Sequence, residues 1–350
     1  MQSSGHFTAT AISVVAALLA TWLLARIAPR IGLVDRPGGR KDHALPVPVI
    51  GGLALVATLL VGEFAFGRAA IPPSFLAAAI ILVAISVWDD WKELHHLPRF
   101  IGQAVAVLVM VYAGGVQLAS VGDLLGWRPI GLGFLGVPLT VFAVVGVINA
   151  VNMIDGMDGL AGSLALVAFG WYGVAATLAG DAGLAALAWF LCGGLAGFLV
   201  FNLRLPWQSQ ARVFLGDAGS TLLGFALAWF AIDLSQGTGP ALPPIAALWV
   251  VLLPLADTVS LIARRRSRGR SPFHADREHI HHFLLARGLS VNATLLVLVG
   301  VSALFGAVGV LGWRAGVPEP VLFWAFFFLF FGYHYAIKAA WRQVHARRSR

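Results

Sequence analysis

The sequence predicts an all-α polytopic membrane protein with about eleven transmembrane helices. Three observations carry the prediction. Charged residues make up 11% of the chain and hydrophobic ones 59%, with a mean hydropathy of +0.84, whereas soluble domains are about 25% charged. Apolar runs of ~18–23 residues recur along the chain, each long enough to cross ~30 Å of hydrocarbon as a helix. The basic residues, finally, sort by loop.

The first run, 6–28, has no basic residue before it and is followed by many more. It therefore reads as a first transmembrane helix and not as a cleavable signal. Runs at 49–67 and 71–88 follow, the second opening on the turn signal "IPPS". Next come 99–118 and 137–153, and between them the segment 119–136 is a candidate to re-enter the membrane. Runs at 158–179, 181–201 and 219–237 lead to the turn-rich "GTGPALPP", and 241–263, 291–313 and 318–340 complete the set. The whole chain, 1–350, reads as one integral-membrane domain. Cys192, the single cysteine, excludes an intramolecular disulfide.

If loops alternate sides, 21 Lys and Arg fall on one side and three (Arg68, Arg128, Arg314) on the other. The rich side includes Arg40, Lys41, Lys92, Arg99, Arg204, seven arginines between 264 and 287, and the basic tail ending at Arg350. The positive-inside rule makes that side cytoplasmic, with the N-terminus outside and the C-terminus inside. The net charge of +8 thus marks topology, and no nucleic-acid partner is expected.

The polar residues that an apolar chain does not explain fall on the same cytoplasmic side. They are Asp89 and Asp90 after the third run, and Asn149, Asn152, Asp155 and Asp158 in "NAVNMIDGMDGLAG" after the fifth. After the seventh come Asn202, Phe214 and Asp217, and after the ninth His279, His281 and His282. Each has a plain structural reading: a solvated helix end, an Asp-Gly turn, a helix start capped by Asp217, an interfacial face. Asp89 and Asp90, however, stand where the helix dipole disfavours carboxylates. Carboxylates ~6 Å apart repel by about 3 kcal/mol at an effective dielectric near 20, so such a cluster calls for a cation. Aspartates without a cysteine suit Mg²⁺ or Mn²⁺ better than zinc. Asp155 and Asp158 are expected on one face of a helical turn, with Gly156 and Gly159 admitting a ligand to the backbone. A dication, arginines and glycines together suit phosphate chemistry on a nucleotide diphosphate. No GxxxxGK loop is present, so ATP hydrolysis is not expected. A transporter or flippase would need acids near the bilayer midplane. Glu63 and Asp233 are the only clear acidic candidates near the runs, and the chain has no internal repeat.

The motifs "DRPGGRKDH", "DDWKELHHLPRFIGQ", "NAVNMIDGMDGLAG", "VFLGDAGSTLLG", "PLADTVSLIARR" and "ADREHIHHFLLARG" resemble, in this order, those of the polyprenyl-phosphate N-acetylhexosamine-1-phosphate transferases. That superfamily contains WecA-like, TagO-like and MraY-like branches, and the resemblance covers about residues 30–290. It implies that undecaprenyl phosphate attacks the β-phosphorus of a UDP-sugar at the cytoplasmic leaflet of the bacterial inner membrane, with Mg²⁺ on the pyrophosphate and UMP released. It also implies roles. Asp217, with Asp90, looks like a metal ligand, and Asp89 and Asp90 look like the pair that binds or activates the lipid phosphate. Asn152, Asp155 and Asp158 resemble nucleotide and metal-site residues; Asn202 and Phe214 resemble those that hold and stack on uracil. His279, His281 and His282, with Arg265 of the basic loop, resemble the segment that grips pyrophosphate and sugar. The interrupted "HIHH" looks WecA-like, which favours UDP-N-acetylglucosamine over the muramoyl-pentapeptide nucleotide and leaves a 6-deoxyhexosamine as an alternative. A homodimer is compatible with the resemblance. A lipid phosphate is already anionic at neutral pH, so direct displacement is expected, without a covalent aspartyl intermediate.

Overall fold

A computed structural model describes residues 2–36, 46–66, 71–92, 96–237, 239–271 and 278–348. Most of "DRPGGRKDH", and Arg68, Arg277 and Arg350 of the charge sorting, lie outside the described residues.

Thirteen helices account for most of the described chain. They are α1 (Gln2–Ile31), α2 (Gly51–Phe66), α3 (Pro73–Lys92), α4 (His96–Gly114), α5 (Gly136–Ile154), α6 (Leu160–Ala179) and α7 (Ala182–Asn202). After them come α8 (Gly216–Asp233), α9 (Pro244–Val250), α10 (Leu252–Ser267), α11 (Ile280–Ala286), α12 (Val291–Arg314) and α13 (Glu319–Arg348). Each of the eleven apolar runs falls on a helix or helix pair. Among the described residues, eight helices are long and apolar enough to cross a membrane, or nine if α9 and α10 form one broken span. The chain is thus a multi-pass membrane protein.

The ninth run, expected as one continuous helix, is bent by 81° between α9 and α10. Pro254 explains the break. It has no N–H to give the preceding turn and its ring crowds that carbonyl, so α9 stops at Val250 and α10 restarts at Leu252. The 119–136 segment is not a helical crossing. It folds as a hairpin-like loop in which Val121 N–H donates to Ile130 O and Ile130 N–H to Gly122 O. Trp127 at its tip is exposed.

α8 is the hub. It packs on α2, α3, α5 and α6, and Phe225, Trp229 and Phe230 are buried along it. Close approach depends on glycine: a Cβ at Gly51 would stand 2.7 Å from Leu215 Cα, and one at Gly52 2.6 Å from the Ala218 carbonyl carbon. The starts of α2 and α8 therefore touch backbone to backbone. Before α2, strands β1 (Val34–Asp35) and β2 (Val47–Pro48) pair antiparallel. The chain at Phe214 extends this ribbon, because Phe214 N–H donates to Pro48 O while Ile50 and Gly51 donate to Phe214 O. The ends of α3, α5 and α7 and the starts of α4, α6 and α8 thus gather at one end of the bundle.

Candidate active site

The turn between α5 and α6 is built by its glycines and clamped by neighbours. Asp155 (φ −73°, ψ 66°) is the centre of an inverse γ-turn, closed by Gly156 N–H donating to Ile154 O at 2.8 Å. Asp155 and Asp158 therefore do not share a helical face as expected; the segment is a non-helical turn. Gly159, at φ +74°, starts α6 in a conformation that disfavours side chains. Buried Asn202 pins it: its Oδ1 accepts from Gly159 N–H at 3.1 Å and its Nδ2 donates to Val213 O at 2.8 Å. Asp158 Oδ2 accepts from Arg204 Nε at 2.7 Å and from Ala211 N–H at 3.2 Å.

Opposite the turn stand the end of α3 and the start of α8. Leu215 is the N-cap position of α8 and Asp217 lies inside its first turn, so Asp217 is not the cap. Its carboxylate gains from the dipole there and is aimed sideways. Asn152 Nδ2 donates to Asp217 Oδ1 at 3.0 Å and to Ser220 Oγ at 2.9 Å. Arg99, from α4, bridges two acids, with Nη1 3.0 Å from Asp89 Oδ2 and Nη2 2.7 Å from Asp217 Oδ2.

Between these walls lies a cavity of about 470 Å³ lined by Asp35, Asp90, Asn152, Asp155, Asp158, Asn202, Phe214 and Asp217, among others. Seven of the residues singled out in the sequence thus meet on one space. Asp89 stands behind it, buried and held by Arg99. Among the described residues, no partner holds the carboxylate of Asp90 or Asp155. Burial, then the neighbouring Asp217 and Asp158 charges, push Asp155 up from its usual 3.8 to about 8. No group of three or more acid, His or Cys side chains among the described residues is arranged to hold a metal. By charge and donor type the residues nonetheless fit a hard dication, since oxygen ligands converge and the acids outnumber the one guanidinium, Arg99, that reaches them.

The histidines approach the same turn from the other side. His281 is fully buried, neither ring nitrogen has a partner among the described residues, and burial pushes it down to about 3. Its Nε2 lies against Gly156, where an added Cβ would be 2.6 Å away. His279 stacks on it at 5.6 Å and His282 packs at 4.1 Å between ring centroids. None of the three histidines lines the cavity, and neither does Arg265, which is buried on α10.

Sequence reasoning missed Arg99, which it counted only as a topology marker, and Asp257. Asp257 is fully buried on α10, which corrects the expectation that Glu63 and Asp233 are the only acids of note near the runs. Glu63 accepts from Ile71 N–H, and Asp233 from Trp229 Nε1, at helix ends.

Comparison with known proteins agrees with these motifs. The glycosyl transferase family 4 profile matches residues 72–235. Three similar proteins carry the name undecaprenyl-phosphate alpha-N-acetylglucosaminyl 1-phosphate transferase. The protein of Haemophilus influenzae is 37% identical over 332 residues, covering 95% of this chain and 94% of its own. That of Pasteurella multocida is 36% identical over 332 residues, covering 95% and 93%. That of Escherichia coli K12 is 36% identical over 322 residues, covering 91% and 87%. Likeness of this extent over nearly the whole length, on top of the motif order, places the chain in glycosyl transferase family 4, among the polyprenyl-phosphate N-acetylhexosamine-1-phosphate transferases.

Proposed function

We propose that the protein transfers N-acetylglucosamine 1-phosphate from UDP-N-acetylglucosamine to undecaprenyl phosphate. An oxygen of the lipid phosphate bonds to the β-phosphorus of the UDP-sugar. The α–β anhydride bond breaks, and UMP leaves with the bridging oxygen and its electron pair. The products are undecaprenyl-diphosphate-N-acetylglucosamine and UMP. The carrying observation is the cavity on which Asp90, Asn152, Asp155, Asp158, Asn202, Phe214 and Asp217 converge, in a chain 36–37% identical to proteins of that name.

The substrates bring several negative charges together, and without counter-charge their repulsion would prevent attack. Mg²⁺, or Mn²⁺, bound by Asp217 and Asp90 would supply positive charge at the pyrophosphate. Arg99 supplies a fixed guanidinium between Asp89 and Asp217, where a phosphate oxygen can exchange with a carboxylate as its partner. Asn152 orients Asp217 through Oδ1. Phe214, on the ribbon extension beside Gly216, offers a ring to the uracil, and Asn202 holds the acid turn against it. The phosphate nucleophile needs no base at neutral pH, so displacement is direct.

In the reading we favour, all eleven helical runs traverse the bacterial inner membrane as one domain. The N-terminus is outside, the C-terminus inside, the cavity cytoplasmic and the enzyme a homodimer. Purified protein given labelled UDP-N-acetylglucosamine, undecaprenyl phosphate and Mg²⁺ should release UMP only when all three are present. Absence of release with any UDP-N-acetylhexosamine would overturn the assignment.

A further inference from the structure

One buried polar assembly, built on Asp257, lies outside the cavity lining. Asp257 on α10 has no solvent exposure, so its carboxylate must be satisfied internally or carry a large penalty. Its Oδ2 lies 2.7 Å from His279 Nδ1. Its Oδ1 accepts from Tyr333 Oη–H at 2.6 Å and from Ile280 N–H at 3.1 Å. Tyr333 belongs to α13, far along the chain.

A second relay runs beside the first. His334 Nδ1 is 3.0 Å from Ser260 Oγ, Arg264 Nη1 donates to Ser260 Oγ at 2.8 Å, and Arg264 Nη2 donates to Glu278 O at 2.8 Å. Helices α10 and α13 thus grip both the chain and the ring at 278–280. A surface segment tethered only by its backbone would not need two such relays.

A carboxylate can only accept, so the shared proton belongs to His279 Nδ1. That commits the Nδ1 side of the ring and leaves Nε2 as the nitrogen offered to a ligand. The ring also stacks on His281, which is wedged against Gly156 of the acid turn. A tilt of His279 is therefore transmitted to the wall of the cavity.

We propose that Asp257 and Tyr333 are positioning residues for the transfer: they fix the tautomer and aim of His279 and, through its stack on His281, the cavity wall at Gly156 against which the nucleotide is held. The proposal rests on the transferase reading and deepens it. It makes α13, which lies outside both the 30–290 motif resemblance and the matched 72–235 stretch, a working part of the site.

The test is a mutant cycle on the full-length protein in detergent or nanodiscs, read by UMP release. Asp257→Asn keeps the shape and reverses the hydrogen-bond preference at Nδ1; kcat should fall on the order of 10²-fold with KM for the UDP-sugar little changed. Tyr333→Phe removes one donor and should cost about tenfold in kcat. Asp257→Glu should recover part of the loss. Because Asp257 acts through His279, the double variant Asp257→Asn/His279→Gln should be no slower than His279→Gln alone. Additive losses, or wild-type kcat in folded Asp257→Asn and Tyr333→Phe, would overturn the proposal. Should Asp257→Asn not fold, Tyr333→Phe in the His279→Gln background performs the same cycle. A wild-type protein inert toward every UDP-sugar fails the transferase reading instead. Hydrogen exchange over residues 278–286 then still judges the brace: faster exchange in Tyr333→Phe supports it and unchanged exchange refutes it.

Discussion

Removing Arg99 should damage both stability and turnover, and the sizes follow from its two contacts. At 3.0 and 2.7 Å from Asp89 and Asp217, each pair has a Coulomb energy of about 5–6 kcal/mol at an effective dielectric near 20. Desolvation of the ions and the 28% exposure of the Arg99 side chain cancel more than half. A net loss of ~2 kcal/mol is left for Arg99→Ala, mostly because Asp89, with only 8% of its side chain exposed, loses its guanidinium counter-charge in a buried setting. The apparent melting temperature of metal-free protein should fall by roughly 4 °C. Mg²⁺ should then stabilise the variant more than the wild type, since the competing guanidinium at Asp217 is gone. UMP release should drop by about 10²-fold. Arg99→Lys should recover part of the stability and less of the rate, because one ammonium cannot fork between two carboxylates. Melting curves with and without Mg²⁺, beside initial rates, check both outcomes. Wild-type melting and turnover in Arg99→Ala would refute the reasoning.

Three further outcomes are expected. Asp217→Asn should abolish turnover while leaving the protein folded, as judged by UMP release and melting temperature; wild-type activity would remove Asp217 from the metal site. Gly156→Ala should place a methyl group 2.6 Å from His281 Nε2, where a fully buried ring has no room to retreat. An overpacking cost of ~1–3 kcal/mol should appear in the melting temperature, together with a loss of rate greater than tenfold. Asp155, pushed from 3.8 to about 8, makes the folded metal-free protein bind more protons than the unfolded chain between those values. Its stability contribution therefore falls as pH rises from about 4 to about 8. A cation in the cavity favours the ionised form of its acids, Asp155 among them, so Mg²⁺ affinity should rise with pH until about pH 8. Asp155→Asn should weaken that dependence, and titration of Mn²⁺ by electron spin resonance measures it.

The positions of the helices and the gathering of the acids were legible because both leave marks in one dimension. Apolar length marks a helix, and a carboxylate in an apolar context marks a site. Asp89, Asp90, Asp155, Asp158 and Asp217 all stand out in this way. What was not legible depends on pairing across the bundle. Arg99 reads as one more basic loop residue until α4 folds back and sets it between Asp89 and Asp217. Asp257 sits in "LLPLADTVSLIARR", where a single acid is easily taken for a helix-end residue. Its meaning comes from His279, 22 residues on, and Tyr333, 76 residues on. The break at Val251 was half legible. Pro254 was visible in the middle of the ninth run, but a proline inside a membrane helix is often tolerated, and only packing decides between a kink and the 81° bend. The helical face expected for Asp155 and Asp158 gave way to an inverse γ-turn, because Gly156 and Gly159 are freer to adopt turn geometry than to continue a helix.

The transfer reaction itself is tested most directly by the fate of the β-phosphate. With UDP-N-acetylglucosamine labelled there, plus undecaprenyl phosphate and Mg²⁺, the label should appear in a lipid whose mass is that of undecaprenyl-diphosphate-N-acetylglucosamine, one per UMP released. Added UMP should drive the label back into nucleotide. Label released as free phosphate or free sugar phosphate, with no lipid product, would contradict the account.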